Sequence, residues 1–171
     1  MNTIPKRIKT CAQIEGSFTL RSGKVSNTYF DKYRFEADPV LLRDIAIEMA
    51  HLIPAGTEVL AGLEMGGIPV VTMLSQVTGL PAAFIRKEPK TYGTCRYAEG
   101  ATLEGRQFVL VEDVVSSGGA IIDALKLLRG DGLNTSVALC VIDRQSGGSE
   151  ALAVEGIELK SLLTYAHLAE A

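Results

Sequence analysis

Two periodicities share this chain. Short, nearly unbroken apolar runs occupy Val59–Leu63, Ala82–Ile85, residues 108–111 and residues 135–142. Runs of this kind, without polar alternation, fit strands covered on both faces of a sheet. Between them apolar residues recur at helical spacing. Val40, Leu41, Ile45, Ile47, Met49 and Leu52 form one such set. A second runs from Ile68 to about residue 79, and a third comprises Ala120, Ile121, Ile122, Ala124, Leu125, Leu127 and Leu128. Asp38 and Pro39 supply an N-cap and a first helical position for the earliest set. Strands alternating with helices predict an α/β fold with a central, mostly parallel sheet flanked by helices. The ends of the chain differ. Residues 7–14 predict a brief helix packing through Ile8, Cys11, Ala12 and Ile14. Residues 16–31 alternate Phe18, Leu20 and Tyr29 with polar neighbours, and Ser22, Gly23 and Lys24 read as the turn of a hairpin. A short helix near 150–154, a strand near 157–163 and a helix from Tyr165 complete the pattern.

One run carries chemistry. The apolar stretch 108–111 leads into Glu112 and Asp113, then Val114, Val115, Ser116, Ser117, Gly118, Gly119 and Ala120, where the third helical set begins. This predicts a buried parallel strand with two acids at its carboxyl end, a short polar loop and a helix. The amides of a Ser/Gly loop opening a helix, with the helix dipole behind them, suit a phosphate. Two acids beside that loop suit the hydroxyls of a ribose. No Gly-Lys-Ser/Thr closes the loop, so it is not a Walker loop. The acids precede the glycines, so it is not a dinucleotide fingerprint either. A second strand–loop–helix unit follows the same plan at Glu64, Met65, Gly66, Gly67, Ile68 and Pro69, where exposed amides suit a diphosphate.

Residues 86–100 break the rhythm. They hold Arg86, Lys87, Lys90 and Arg96, with Pro89 and Gly93 as breakers and almost no apolar period. A long basic loop between two phosphate-binding units suits a lid over an anion. Arg144 follows the strand 135–142 and precedes a Gly-rich turn, a place from which its guanidinium can present a bidentate fork to a carboxylate.

Composition narrows the picture. A chain of 171 residues with 47% apolar and 22% charged residues predicts one domain with a sizeable core. Its net charge of −3 argues against a nucleic-acid binder. No apolar run has the length of a membrane span. The first residues lack the apolar core of a signal peptide, and Cys11, Cys95 and Cys140 are odd in number without metal-ligand spacing. A reducing, cytoplasmic setting is expected.

The run from Glu112 to Gly118 resembles the phosphoribosyl-pyrophosphate (PRPP) signature of the type I phosphoribosyltransferases. Arg86-Lys87-Glu88-Pro89-Lys90-Thr91-Tyr92-Gly93 resembles the catalytic loop of the orotate phosphoribosyltransferases, with Tyr92 where many members carry His. Asp143-Arg144 with its trailing glycines resembles the same family. The resemblance implies a type I phosphoribosyltransferase fold over residues 1–171. In it a small hood (about 1–36 plus the C-terminal segment) covers a core (about 37–150). It implies Mg²⁺-dependent transfer of phosphoribosyl from PRPP to orotate in pyrimidine synthesis, with the ion held mainly by substrate and water. PRPP would meet Arg86, Lys87, Lys90, Tyr92, Glu112 to Ala120; orotate would meet Ser116, Arg144 and Arg21. Lys90, Asp113 and Arg86 would be catalytic. The resemblance further implies a homodimer whose lid residues serve the neighbouring site, and no decarboxylase domain. A phosphoribosyltransferase for another base and a non-catalytic PRPP sensor are the alternatives.

Overall fold

A computed structural model describes residues 3–19, 23, 25–89 and 97–171. The chain opens with α1 (Ile4–Ala12) and an antiparallel hairpin of β1 (Gln13–Thr19) and β2 (Val25–Phe30), then a single turn, α2 (Tyr33–Glu36). Next come α3 (Pro39–Ala50), β3 (Val59–Leu63), α4 (Gly67–Thr78) and β4 (Ala82–Ile85). After β5 (Ala98–Gly100) follow β6 (Phe108–Val115), α5 (Gly119–Gly130), β7 (Val137–Asp143), α6 (Gly148–Val154), β8 (Glu158–Thr164) and α7 (Tyr165–Glu170). The expected Asp38 cap is present: its carboxylate accepts the Val40 and Leu41 amides, and Pro39 opens α3.

The main sheet has the order β5-β4-β3-β6-β7-β8, parallel throughout except for β5 at the edge. One face packs on α3 and α4, with Ile8 of α1, Phe35 of α2 and Leu168 of α7 joining the same apolar cluster. The other face packs on α5 and α6 through Ile121, Leu125, Leu128 and Leu152. The hairpin stands apart from this sheet and is largely exposed. The C-terminal segment divides: β8 joins the main sheet, while α7 packs on α1.

Two expectations change. The strand expected over 108–111 runs on to Val115, because its ladder with β7 continues through Val114–Ile142 and Val115–Asp143. The acid pair therefore lies inside the strand and not past its end. Part of the expected loop 86–100 forms β5, pairing antiparallel with β4; three residues are too few to display a period.

Strand order locates the site. From β3 the chain crosses through α4 to β4 on one side, whereas from β6 it crosses through α5 to β7 on the other. Since β3 and β6 are neighbours, their connections diverge and open a crevice at their carboxyl ends. That is where ligands bind in open α/β sheets. Both glycine loops found in the sequence sit there.

Candidate active site

The 64–67 loop leaves β3 and enters α4 with a cis Glu64–Met65 peptide bond. Glu64 is held from two sides: its amide donates to the Ile85 carbonyl at 2.8 Å, and its Oε1 accepts the Lys87 amide at 2.6 Å. The first basic residues after β4 are thus fastened to this loop. Arg86 is anchored by its amide to the Tyr97 carbonyl at 2.7 Å, and Lys87 is exposed. Gly66 is buried directly against the Asp113 carboxylate, with no room for a side chain.

The loop after β6 has the form its sequence promised. Gly118, at φ +75°, turns the chain into α5, and no side chain caps the helix. Ser116, Ser117 and Ala120 are exposed, Gly118 and Val115 buried, Val114 and Gly119 between. With Glu112 they line a cavity of about 180 Å³. Uncapped amides at the start of a 12-residue helix, facing a small polar cavity, suit a phosphate.

The acid pair is not presented to this cavity as a pair. Side chains of successive strand residues leave on opposite faces. Asp113 follows Val109 and Val111 onto the face covered by α3 and α4, and is 0% exposed. Glu112 follows Phe108 and Leu110 onto the α5 face and lines the phosphate-loop cavity, though only 6% exposed. Asp113 forms an ion pair of 2.6 Å with Lys32, the residue that follows the hairpin, and its Oδ1 accepts the Val114 amide at 2.6 Å. Glu36 of α2, also buried, faces it from the same side. Burial pushes the Glu112 carboxyl well up, and the neighbouring Asp113 charge adds to this. Burial opposes ionisation of Asp113 too, but its interactions with Glu112, Glu36 and Lys32 outweigh it and hold its carboxyl below the usual value. Of the two acids, Asp113 is thus held toward its charged form and Glu112 toward its neutral form. Lys32 and Glu36 were missed in the sequence because neither sits in a motif; a lysine beside a hairpin carries no signal of a buried partner.

Glu36 is pushed from 4.5 to about 9, by burial first and by Asp113 second. An acid with a raised folded pKa binds its proton more tightly in the native state. Its stabilising share is full below about 4.5 and is lost as pH climbs through about 9. Glu36→Gln should remove that loss. The melting-temperature gain of the variant over the wild type should grow steadily between pH 5 and pH 9, approximately the range set by that shift. A gain independent of pH would show that Glu36 is charged in the native state.

Arg144 is exposed just past β7, its amide donating to the Val115 carbonyl at 2.8 Å. Asp143 does not pair with it: Asp143 Oδ1 accepts the Gln145 amide at 2.8 Å. Gln145 in turn accepts the Ala166 amide through its side chain at 3.1 Å, which fixes the start of α7 over this strand end. A cavity of about 450 Å³ results, lined by Arg144, by Tyr29 and Phe30 of the hairpin, by Gln13 and Lys9, and by Tyr165 and Leu168 of α7. Flat rings beside a guanidinium suit a planar anion. Ser116 lines the phosphate-loop cavity and not this one. Tyr165 and Lys9 were not legible as site residues, since each reads as an ordinary helix position. Arg21, Lys90 and Tyr92 lie outside the described residues. Among the described residues no cluster of three metal-ligating side chains occurs, and no helix is long and apolar enough to cross a membrane.

Comparison with known proteins agrees with this geometry. The phosphoribosyl transferase domain family matches residues 41–160. The chain is 48% identical over 166 residues to an orotate phosphoribosyltransferase of Nocardioides, covering 97% of this chain and 93% of that one. Its fold is similar to that of Mycobacterium tuberculosis orotate phosphoribosyltransferase in complex with Fe(III) dicitrate, with a TM-score of 0.88 at 27% identity, covering 96% of each chain. A second structure of that protein, in complex with 5-phospho-alpha-D-ribosyl 1-diphosphate (PRPP), aligns with a TM-score of 0.84 at 25% identity, covering 97% of this chain and 96% of that one.

Proposed function

The chain belongs to the orotate phosphoribosyltransferases, and from that premise we propose how its own residues transfer phosphoribosyl from PRPP to orotate, giving orotidine 5′-phosphate and diphosphate. The observation that carries the reading is the adjacency of two sites. The Arg144 amide bonds the Val115 carbonyl, so the cavity with the guanidinium and aromatic rings adjoins the phosphate loop that Val115 opens.

The loop from Ser116 to Ala120, with Val114 and Val115 behind it, binds the 5-phosphate through its amides. Arg144 anchors the orotate carboxylate, and Tyr29 and Phe30 cover the ring. Ser116 and Arg21 meet the base in this reading, as the family resemblance implies. The 64–67 loop takes the diphosphate. In the reaction the base nitrogen bonds to the ribose C1 as the C1–O bond breaks, and the bonding electrons leave with the diphosphate. C1 becomes electron-poor on the way. Negative charge held on Asp113 favours it, and Glu112 meets the ribose hydroxyls. Arg86, Lys87 and Lys90, with Tyr92, close over the departing diphosphate and exclude water, which would otherwise compete for C1. In this reading the ion is held mainly by substrate and water. Mg²⁺, when bound, neutralises charge on the diphosphate. We place the reaction in the cytoplasm and the chain in a homodimer.

Loss of orotate absorbance in the presence of PRPP and Mg²⁺ tests the reading; no consumption would end it. Arg144→Ala should raise KM for orotate about tenfold or more, the worth of a charge-assisted bond, and change KM for PRPP little. Equal weakening of both substrates would make Arg144 a structural residue.

A further inference from the structure

We propose that Lys32 is a positioning residue for this transfer. It fixes Asp113 beneath the crevice as the support on which the 64–67 loop is seated, and so leaves Glu112 as the acid of the pair that faces the ribose. The inference rests on the transfer reading above.

Three separate parts of the chain meet at the Asp113 carboxylate. Lys32 reaches it from the hairpin side at 2.6 Å, the Val114 amide holds the other oxygen at 2.6 Å, and the Gly66 backbone lies against it. Both oxygens are engaged and none of the residue is exposed, so Asp113 has no free face for a substrate hydroxyl. The Lys32 side chain is 33% exposed and reaches this buried group from outside it. Its neighbour Tyr33 lies under the ammonium at 5.3 Å. The other titratable groups around Asp113 all disfavour a second charge: Glu36 on α2, Glu112 on the same strand and Cys140 on β7 are each pushed toward their neutral forms by burial. Lys32 is thus the cation paired with Asp113 among neighbours held toward their neutral forms. Without it a buried carboxylate would lose its partner and take up a proton. The anchor of the 64–67 loop, where the diphosphate is held, would lose its charge.

Lys32→Met and Lys32→Arg are compared with the wild type in steady-state kinetics across pH. The Asp113 carboxyl carbon is followed in the same variants by ¹³C NMR without substrate. Lys32→Met should lower kcat/KM for PRPP about tenfold, a cost held below that of a fully buried pair by the exposure of Lys32. It should move the acid limb of the pH profile upward and make Asp113 titrate in the accessible range. Lys32→Arg should keep the wild-type profile. In an Asp113→Asn background the Lys32→Met cost should shrink to under about twofold, since the two act as one unit. That double variant leaves no charge unpaired, and it stands in if Lys32→Met alone does not fold. Wild-type kinetics and carboxyl titration in Lys32→Met would overturn the proposal, as would a full tenfold cost in the Asp113→Asn background. If the wild type consumes no orotate, the transfer reading fails first and the proposal with it; an active wild type with an unaltered Lys32→Met removes the proposal alone.

Discussion

Lys90→Ala lowers kcat by about a hundredfold to a thousandfold and leaves KM for either substrate nearly unchanged. The magnitude is that of removing one preorganised donor from a charge that develops in the transition state. The split follows from where the charge appears. In the proposed ground state the diphosphate of PRPP is already bound by loop amides and its Mg²⁺. Extra negative charge accumulates on it only as the C1–O bond breaks, and a lysine that answers that charge acts on kcat. Lys90 follows Arg86 and Lys87, whose backbones the structure ties to Tyr97 and Glu64 at the end of β4, beside the diphosphate loop. An unchanged kcat would assign the leaving-group role elsewhere. The same variant tests whether the lid works across subunits. Mixed with Arg144→Ala subunits, it should regain about a quarter of wild-type activity if lids serve the neighbouring site. Half of the dimers are then hybrids, and one site in each combines an intact Arg144 with an intact Lys90. If lids serve their own subunit, every hybrid site keeps one defect and mixing restores nothing.

What the sequence revealed and what it hid have one physical origin. Local patterns survive folding unchanged. Asp38 caps α3 because a cap is decided within three residues, and Val59–Leu63 and Ala82–Ile85 are strands with the bounds their apolar runs predicted. The phosphate loop was legible because its Gly118 turn and open helix start belong to one continuous stretch. Contacts between distant segments left no such trace. Nothing in the order Phe30-Asp31-Lys32 indicates that Lys32 will meet Asp113, a residue far along the chain and buried. The two acids also misled by their polarity. They interrupt an apolar run and so appear to end the strand, whereas β6 continues to Val115 because its ladder with β7 continues. Arg144 was singled out as a candidate from its place after a strand. Its companions Tyr165, Gln13 and Lys9 come from three different elements and were assembled only by the packing of α1 and α7.

Gly66→Ala should lower both stability and catalysis, and the reason is steric alone. Gly66 has φ −69° and ψ −31°, a conformation any residue adopts, so the backbone sets no preference for glycine there. A methyl on its Cα would instead overlap the Asp113 carboxylate, with Oδ1 at 2.9 Å and Oδ2 nearer still. Asp113 cannot give way, since Lys32 and the Val114 amide hold its two oxygens. The 64–67 loop must therefore move. Overpacking of this kind costs about 1–3 kcal/mol. A shift of the diphosphate loop by about 1 Å should also reduce kcat/KM about a hundredfold, because the leaving group no longer meets its amides in register. Gly130→Ala is the control: the same added methyl meets nothing within 4 Å at the end of α5, so it should leave kcat/KM as it is and raise stability by up to about 1 kcal/mol. Shortening the obstacle separates the steric cause from any other. In an Asp113→Ala background the stability cost of Gly66→Ala should fall to under about 0.5 kcal/mol, the additivity failure expected of residues in contact. Full cost in that background, measured by urea denaturation, would mean that the loop is seated on something other than Asp113.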